Sequence, residues 1–490
     1  MNTAAPPRVG LFWFASPQTF FPLAGKMVPL FAFLAIALGL VGLYIAFLVA
    51  PTDATQGESY RIIFIHVPAA WMSMFLYVVM AFWAAVGPWG EASRNQDATA
   101  GWTAISLISD PADSSKRAIR SPDPMKPVYI NGLENASNSA LISSAIRNII
   151  LKATDNLSWL SAGETVLLKP ALNSPDPYPS TTHPLAVSVT AELLAERGAS
   201  VVIGDQSGIE HVLHHPGGVV RGSTAENYLK SGMGAFTSAR FGGFEDGGWE
   251  EGFYHHRSPS TPSWHDGFNI SVWAKKADHI ISLPRVSTHS MAGASLGFKN
   301  MVGMLREDSR MEFHANGPMN GFIVRSAKGS TLASHDDKSG RFFEKIVEIS
   351  DAVRDKLRLT LFLATGIQAS FGPDRFGIPL GRTGLGRAYI VHPEPGLVLC
   401  STDQVAAEAA ALAVLQDAKQ SLPFGQRWLE RAALFTNPHV QQLEGMNIRN
   451  HPYIRHGRDI GLGDLPGDLV FENVPPGVRK RLSGLLHQAD

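Results

Sequence analysis

Five side chains in the middle third of the chain have the types that anion binding and proton transfer require: Lys169, His183, Asp205, His289 and Lys299. They fall in three loop-like stretches. KPALNSPDPYPSTTHP (Lys169–Pro184) offers a cation, the Asn173 amide, the hydroxyls of Thr181 and Thr182, and His183 just before a helix start, where free backbone N–H groups favour an anion. GDQSG (Gly204–Gly208) supplies Asp205. LPRVSTHSMAGASLGFKNMVGML supplies Arg285, His289, Lys299 and Asn300. Two lysines, an arginine and two histidines against one carboxylate make an electropositive set suited to a carboxylate or phosphate ligand. Buried lysines there would have lowered pKa values and could act as bases or covalent anchors. His183 and His289 are also candidate metal ligands. Local alternatives are Thr182 or His183 capping the helix with Lys169 solvated, and Lys299 snorkelling from an apolar helix.

The elements that would position these loops alternate. ALISSAIRNIILKA has helical periodicity, ETVLLK reads as a buried strand, and PLAVSVTAELLAERG as a helix with Pro184 in its first turn and Gly198 at its end. ASVVIGD is the next strand and completes a β-α-β unit. HIISLP, RLTLFLATG and GLVLCS read as strands, and GASLGFKNMVGML, FFEKIVEISDAVRDKL and DQVAAEAAALAVLQDA as helices. The pattern predicts a soluble α/β domain with a mostly parallel sheet over 127–490, with room for two lobes. Such a sheet gathers its strand-end loops on one edge, so all five residues should line one concavity.

Other signals are weaker. Gly242–Gly267 packs His255, His256 and His265 into a stretch that reads as a loop, and His211, His214 and His215 form a second cluster; a divalent metal is a reading for both. GRTGLG (Gly381–Gly386) lacks dinucleotide-binding spacing and reads as a turn. No Walker A, HExxH or GxSxG motif occurs.

Of 490 residues, 45% are apolar and 17% charged, which excludes a disordered chain. Lys+Arg number 42 and Asp+Glu 43, so no basic field invites nucleic acid. Cys400 is the one cysteine, which rules out an internal disulfide and a cysteine-held iron–sulfur cluster from this chain.

The apolar excess lies at the front. Met27–Ala50 and Ile62–Gly87 are nearly charge-free runs, each longer than the roughly 20 residues that cross a bilayer. Two transmembrane helices fit better than a signal peptide plus a buried helix. Arg8 and Lys26 before the first run, and Arg94, Lys116, Arg117 and Arg120 after the second, put both ends and the large domain in the cytoplasm. The Gly57 connection is then outside, and His66 lies about one helical turn within the second span. An intramembrane imidazole is costly, and it could ligate haem iron or merely hydrogen-bond near the interface. The organisation predicted is a membrane segment over 1–88, a Ser/Pro/Ala/Asp-rich linker over 89–126, and the α/β domain beyond.

GESYRIIFIHVPAAWMSM and its surroundings, about Val28 to Val86, closely resemble the start of CcmC, the haem exporter protein C family of cytochrome c maturation. The resemblance implies a bacterial inner-membrane location, haem bound axially by His66, and other cytochrome c maturation membrane proteins as partners. It covers about the first fifth of the chain. The tryptophan-rich segment, second histidine and further spans of that family do not follow; PWGEASRNQDATAG does, an abrupt switch that suggests a gene fusion or a joined reading frame. From about Glu164 onward, the strand-end loops, TTHP, the Lys299–Asn300 pair and GLVLCSTDQVAAEAAAL resemble the family known as domain of unknown function number 362, and more distantly the nickel-pincer lactate racemases. Departures are KPALN for the family's KPN, Ser-Thr-His for its KTH, and missing ferredoxin-type cysteines; its usual acidic residue in the last helix corresponds to Glu408. Three functions therefore compete: haem handling through His66, a membrane-tethered enzyme or metalloprotein binding an anion, and a tethered binding module without chemistry.

Overall fold

The computed structural model describes residues 125–314, 326–334, 341–370, 372, 393–425, 427–428, 431, 438–443 and 445–487, with helical residues among 33–45 and 71–79. Contacts divide the chain into two compact units, Met1–Ala118 and Ile119–Asp490. In the first, the described residues are helical and their large apolar side chains are exposed, Phe33, Leu38, Trp71 and Tyr77 among them. Among the described residues no helix is long and apolar enough to cross a membrane. The two apolar runs lie mostly outside the described residues, and His66, the Gly57 connection and GRTGLG lie wholly outside them.

The second unit is built on an eight-stranded sheet. Its strands are β1 (Val128–Gly132), β2 (Thr165–Pro170), β3 (Ser200–Asp205), β4 (Arg240–Gly243), β5 (His279–Leu283), β6 (Leu357–Ala364), β7 (Leu397–Ser401) and β8 (Leu469–Glu472). Their order is β8-β1-β7-β6-β5-β2-β3-β4. All neighbours run parallel except at β7, which is antiparallel to both β1 and β6. The central strands are near-continuous apolar runs because both faces are covered. Alternation sorts their side chains: Leu167 and Ile280 join the core on one face, while Val166, Leu168 and Ile281 join the other.

Local chemistry starts the helices where the sequence suggests. Asn138 caps α1 (Ser139–Ala153), accepting from the amides of Ala140 and Leu141. Pro184 opens α2 (Pro184–Ala195) with its fixed φ. Both pack on one face of the sheet through Ile146, Ile150, Val187 and Leu194. On the other face lies Gln404–Ser421, capped by Asp403 and buried through Val405, Ala409 and Leu412.

Three expectations are corrected. GASLGFKNMVGML is not one helix: Gly293–Ser295 pairs with Ser287–His289 as a hairpin, and only then come α3 (Gly297–Asn300) and a 3-10 turn, Met301–Met304. FFEKIVEISDAVRDKL is α-helical over Phe342–Glu348 and 3-10 over Ile349–Val353. The histidine-rich stretch from Gly242 is partly ordered into strands, Phe253–His256 pairing antiparallel with Phe268–Ser271.

Candidate functional site

The parallel strands β2, β3 and β5 end side by side, so residues far apart in sequence meet there. Lys169 and Ser282 are cross-strand partners in the β2–β5 register. Lys169 is wholly buried; its Nζ lies 2.7 Å from Asp205 Oδ1, donates to Pro170 O at 2.7 Å, and reaches Asn300 Oδ1 at 3.2 Å. Asp205 Oδ1 also accepts from the Gln206 amide and Oδ2 from the Leu172 amide, each at 2.8 Å. Asn300 Nδ2 donates to Lys169 O and to Ser282 Oγ, both at 3.0 Å, and so bolts α3 across two strand ends. Gly303 follows closely: a Cβ there would collide with Asp205 Oδ1 and stand 2.7 Å from Lys169 Nζ.

Lys299 sits beside Asn300 but is only partly buried, whereas Phe298 and Asn300 are closed off. Burial lowers it to about 7, and Arg310, Arg285 and Lys169 push in the same direction. Arg310, from α4 (Glu307–His314), donates to the carbonyls of Ser207 (2.6 Å), Gln206 (3.1 Å), Gly303 (3.0 Å) and Leu305 (2.9 Å). Arg285 donates to Ser180 O and Ser295 Oγ.

Two histidines complete the cluster as opposite tautomers. His289 Nδ1 accepts from the Met291 and Ala292 amides at 3.1 and 3.3 Å, so a neutral ring carries its proton on Nε2. His314 Nδ1 lies 2.7 Å from Arg310 O, an acceptor only, so there the proton is on Nδ1 and Nε2 holds the lone pair. Burial lowers His289 well below the usual range and His314 to about 3, and Lys299 is the strongest charged neighbour of both. Both rings are therefore neutral at pH 7.

The structure thus brings Lys169 to Asp205 and Lys299 to His289. His183 is engaged locally: its Nδ1 caps α2 by accepting from the Leu185 amide at 3.1 Å, and its ring packs edge-on against Tyr178. Burial lowers it to about 4. His183 and His289 both accept backbone amides at Nδ1, so Nε2–H is the donor left on each neutral ring. Among the described residues no group of three or more His, Cys, Asp or Glu could hold a metal ion. His214 faces Glu307, Nδ1 to Oε2 3.7 Å, and His256 pairs with Asp351 at 3.0 Å.

Sequence reasoning passed over Arg310 and His314, whose i, i+4 spacing on one helix face was the available signal. A second-layer carboxylate supports the cluster. Glu408, wholly buried, accepts from the Phe298 amide at 3.0 Å and caps α3, whose own preceding residue, Leu296, has no capping side chain.

These features define an α/β protein that gathers cationic side chains at the C-terminal edge of a mostly parallel sheet. Residues 166–413 match the model described as Domain of unknown function (DUF362), and the chain belongs to that family. Residues 10–99 match the model Heme exporter protein C. Within that region the chain is 44% identical over 73 residues to Heme exporter protein C of Haemophilus influenzae, covering 15% of this chain and 30% of that protein. It is 56% identical over 41 residues to a putative cytochrome c biosynthesis ccmC-like mitochondrial protein of Marchantia polymorpha, covering 8% and 18% respectively. The chain thus spans less than a third of the length of these curated relatives. Among solved structures, the lactate racemase apoprotein from Thermoanaerobacterium thermosaccharolyticum matches at 12% identity and a TM-score of 0.32, over 50% of this chain and 51% of that one.

Proposed function

We propose that the α/β unit binds an anionic small molecule, a carboxylate or phosphate, at the C-terminal edge of its sheet. The observation that supports this is the charge arrangement around Lys299. The described charges that act most on it are the cations Arg310, Arg285 and Lys169, while Asp205 is committed to Lys169. Cations gathered at one sheet edge favour an anionic ligand, and the Nε2–H of His289 is a donor suited to it. Catalytic roles for Lys169, His183, Asp205, His289 and Lys299 remain part of this proposal; the geometry favours Lys299 and His289 as ligand-facing, with Lys169 and Asp205 positioning. Calorimetric titration of the purified chain with oxalate and with phosphate tests it. Saturable binding that Arg285→Gln weakens supports the reading, and no binding of either anion sinks it.

The match over residues 10–99 favours a second role for the N-terminal segment. In this reading Met27–Ala50 and Ile62–Gly87 cross the bacterial inner membrane, the large domain is cytoplasmic, His66 holds haem axially, and other cytochrome c maturation proteins are neighbours. The exposed apolar side chains of Phe33, Leu38, Trp71 and Phe75 on helical residues support a lipid environment.

A further inference from the structure

We propose that the helical face bearing Phe424, Arg427, Trp428 and Arg431 docks the α/β unit on an anionic phospholipid surface, that of the bilayer which the chain's own apolar runs enter. The inference rests on the reading in which Met27–Ala50 and Ile62–Gly87 cross a membrane, and it adds a second, peripheral contact with that membrane.

The helix Gln404–Ser421 is buried along most of its length and closes with Leu422, which packs into the core, and Pro423. Beyond it the described residues Phe424, Gly425, Arg427, Trp428 and Arg431 are helical again, and all are exposed. Phe424 is 77% exposed, more than any other large apolar side chain described, and Trp428 is 60% exposed. At about 100° per residue, Phe424, Arg427, Trp428 and Arg431 share one arc of about 100°. Two aromatic rings one turn apart, with two arginines on the same face, have the composition of a helix lying in the headgroup layer. There the rings reach the acyl boundary while the guanidinium groups stay among the phosphates.

Charge favours the same occupant. Residues 423–431 read PFGQRWLER, two arginines against one glutamate. The helix Pro476–Leu486 packs along Gln404–Ser421, and its Arg481 donates to both oxygens of Asp417, at 2.6 and 3.2 Å. That pairing takes up the last acidic residue before the stretch, and the neighbouring Lys480 is exposed as a further cation. An anionic leaflet attracts such a patch. A chain already held in a bilayer also meets lipid at high effective concentration, so two rings and a few cations suffice where isolated contacts would not. A protein partner would have to come from elsewhere; lipid is present wherever the anchored chain is.

The test places one fluorophore on the patch. Gly425 has open space where a Cβ would project, and Cys400 is buried, so Gly425→Cys in the full-length chain takes a single polarity-sensitive dye. The labelled chain is reconstituted into nanodiscs of phosphatidylcholine, with or without phosphatidylglycerol. Blue-shifted emission that nitroxide-labelled lipid quenches, stronger with phosphatidylglycerol, supports the proposal. Phe424→Ser with Trp428→Ser should abolish the shift, and Arg427→Gln with Arg431→Gln should lower the docked-to-free ratio about tenfold or more. All four side chains are exposed, so unchanged urea unfolding should show that these variants are folded. A chain that enters the discs while its dye stays water-like and unquenched with both lipids overturns the docking and leaves the spans standing. A chain that does not enter the discs overturns the spans, and the same dye on phosphatidylglycerol vesicles then decides the docking by the same criterion. A shift that needs no anionic lipid but grows with protein concentration assigns the face to a second copy of the chain and overturns the lipid reading.

Discussion

Lys169 Nζ and Asp205 Oδ1 lie 2.7 Å apart with neither side chain reaching solvent, one at the end of β2 and the other at the end of β3. Burial lowers the lysine's pKa and the aspartate opposes that shift. A pair of this kind adds little net stability over apolar packing, but removing one member leaves an uncompensated buried charge. It also fixes the register of the strand ends, because Asp205 receives the Leu172 and Gln206 amides as well.

Lys169→Met should therefore destabilise the α/β unit by about 3–5 kcal/mol, and Asp205→Asn by a similar amount. The double variant should cost at least about 2 kcal/mol less than the sum. Urea unfolding of the four proteins measures this, and simple additivity would show that the pair does not interact as described.

Glu408 and Glu307 make stability depend on pH in an uncommon direction. Burial raises both to about 8, against an ordinary 4.5. Between those values the folded protein holds a proton that the unfolded chain releases, so stability falls as pH rises from about 4.5 to about 8 and is level beyond it. Each group contributes at most about 1.4 kcal/mol per pH unit. Glu408→Gln should flatten part of the slope; an unchanged profile in urea midpoints from pH 5 to pH 9 would refute the assignment.

Anion affinity should titrate with Lys299. The lysine is cationic below about 7 and neutral above, so oxalate affinity should fall as pH passes from 6 to 8. Arg285→Gln should weaken binding about tenfold at pH 6, the usual scale for one charge-assisted contact. Affinity that rises with pH would place the anion elsewhere.

For the N-terminal segment, the full chain should fractionate with membranes, and a reporter fused after Asp490 should behave as cytoplasmic. His66→Ala should remove any haem absorbance that co-purifies. Export of the reporter would reverse the orientation, and haem retained by the variant would exclude His66 as its ligand.

Much of this protein was determined by short-range patterns that any reader of the chain can see. The order of strands and helices is written in apolar runs and caps, because Asn138 and Asp403 accept from amides two or three residues away and Pro184 fixes its own φ in the first helical turn. That the strand-end loops meet follows from parallel topology, which the β-α-β alternation already implies. The stretch Gly293–Leu305 misleads for a physical reason: its small and apolar residues suit a helix, but Gly293 takes φ +72° and a carboxylate over a hundred residues away caps the turn at Gly297. The histidines divide on the same ground. Nothing in the sequence says that His183 and His289 give their Nδ1 lone pairs to backbone amides, or that His314 gives its Nδ1 proton to Arg310 O, since a ring's tautomer is set by what folds against it. The tertiary structure alone decided that Lys169 is closed off against Asp205 while its neighbour across the strand ends, Lys299, is only partly buried, because burial and a neighbouring carboxylate are properties of packing and not of residue type.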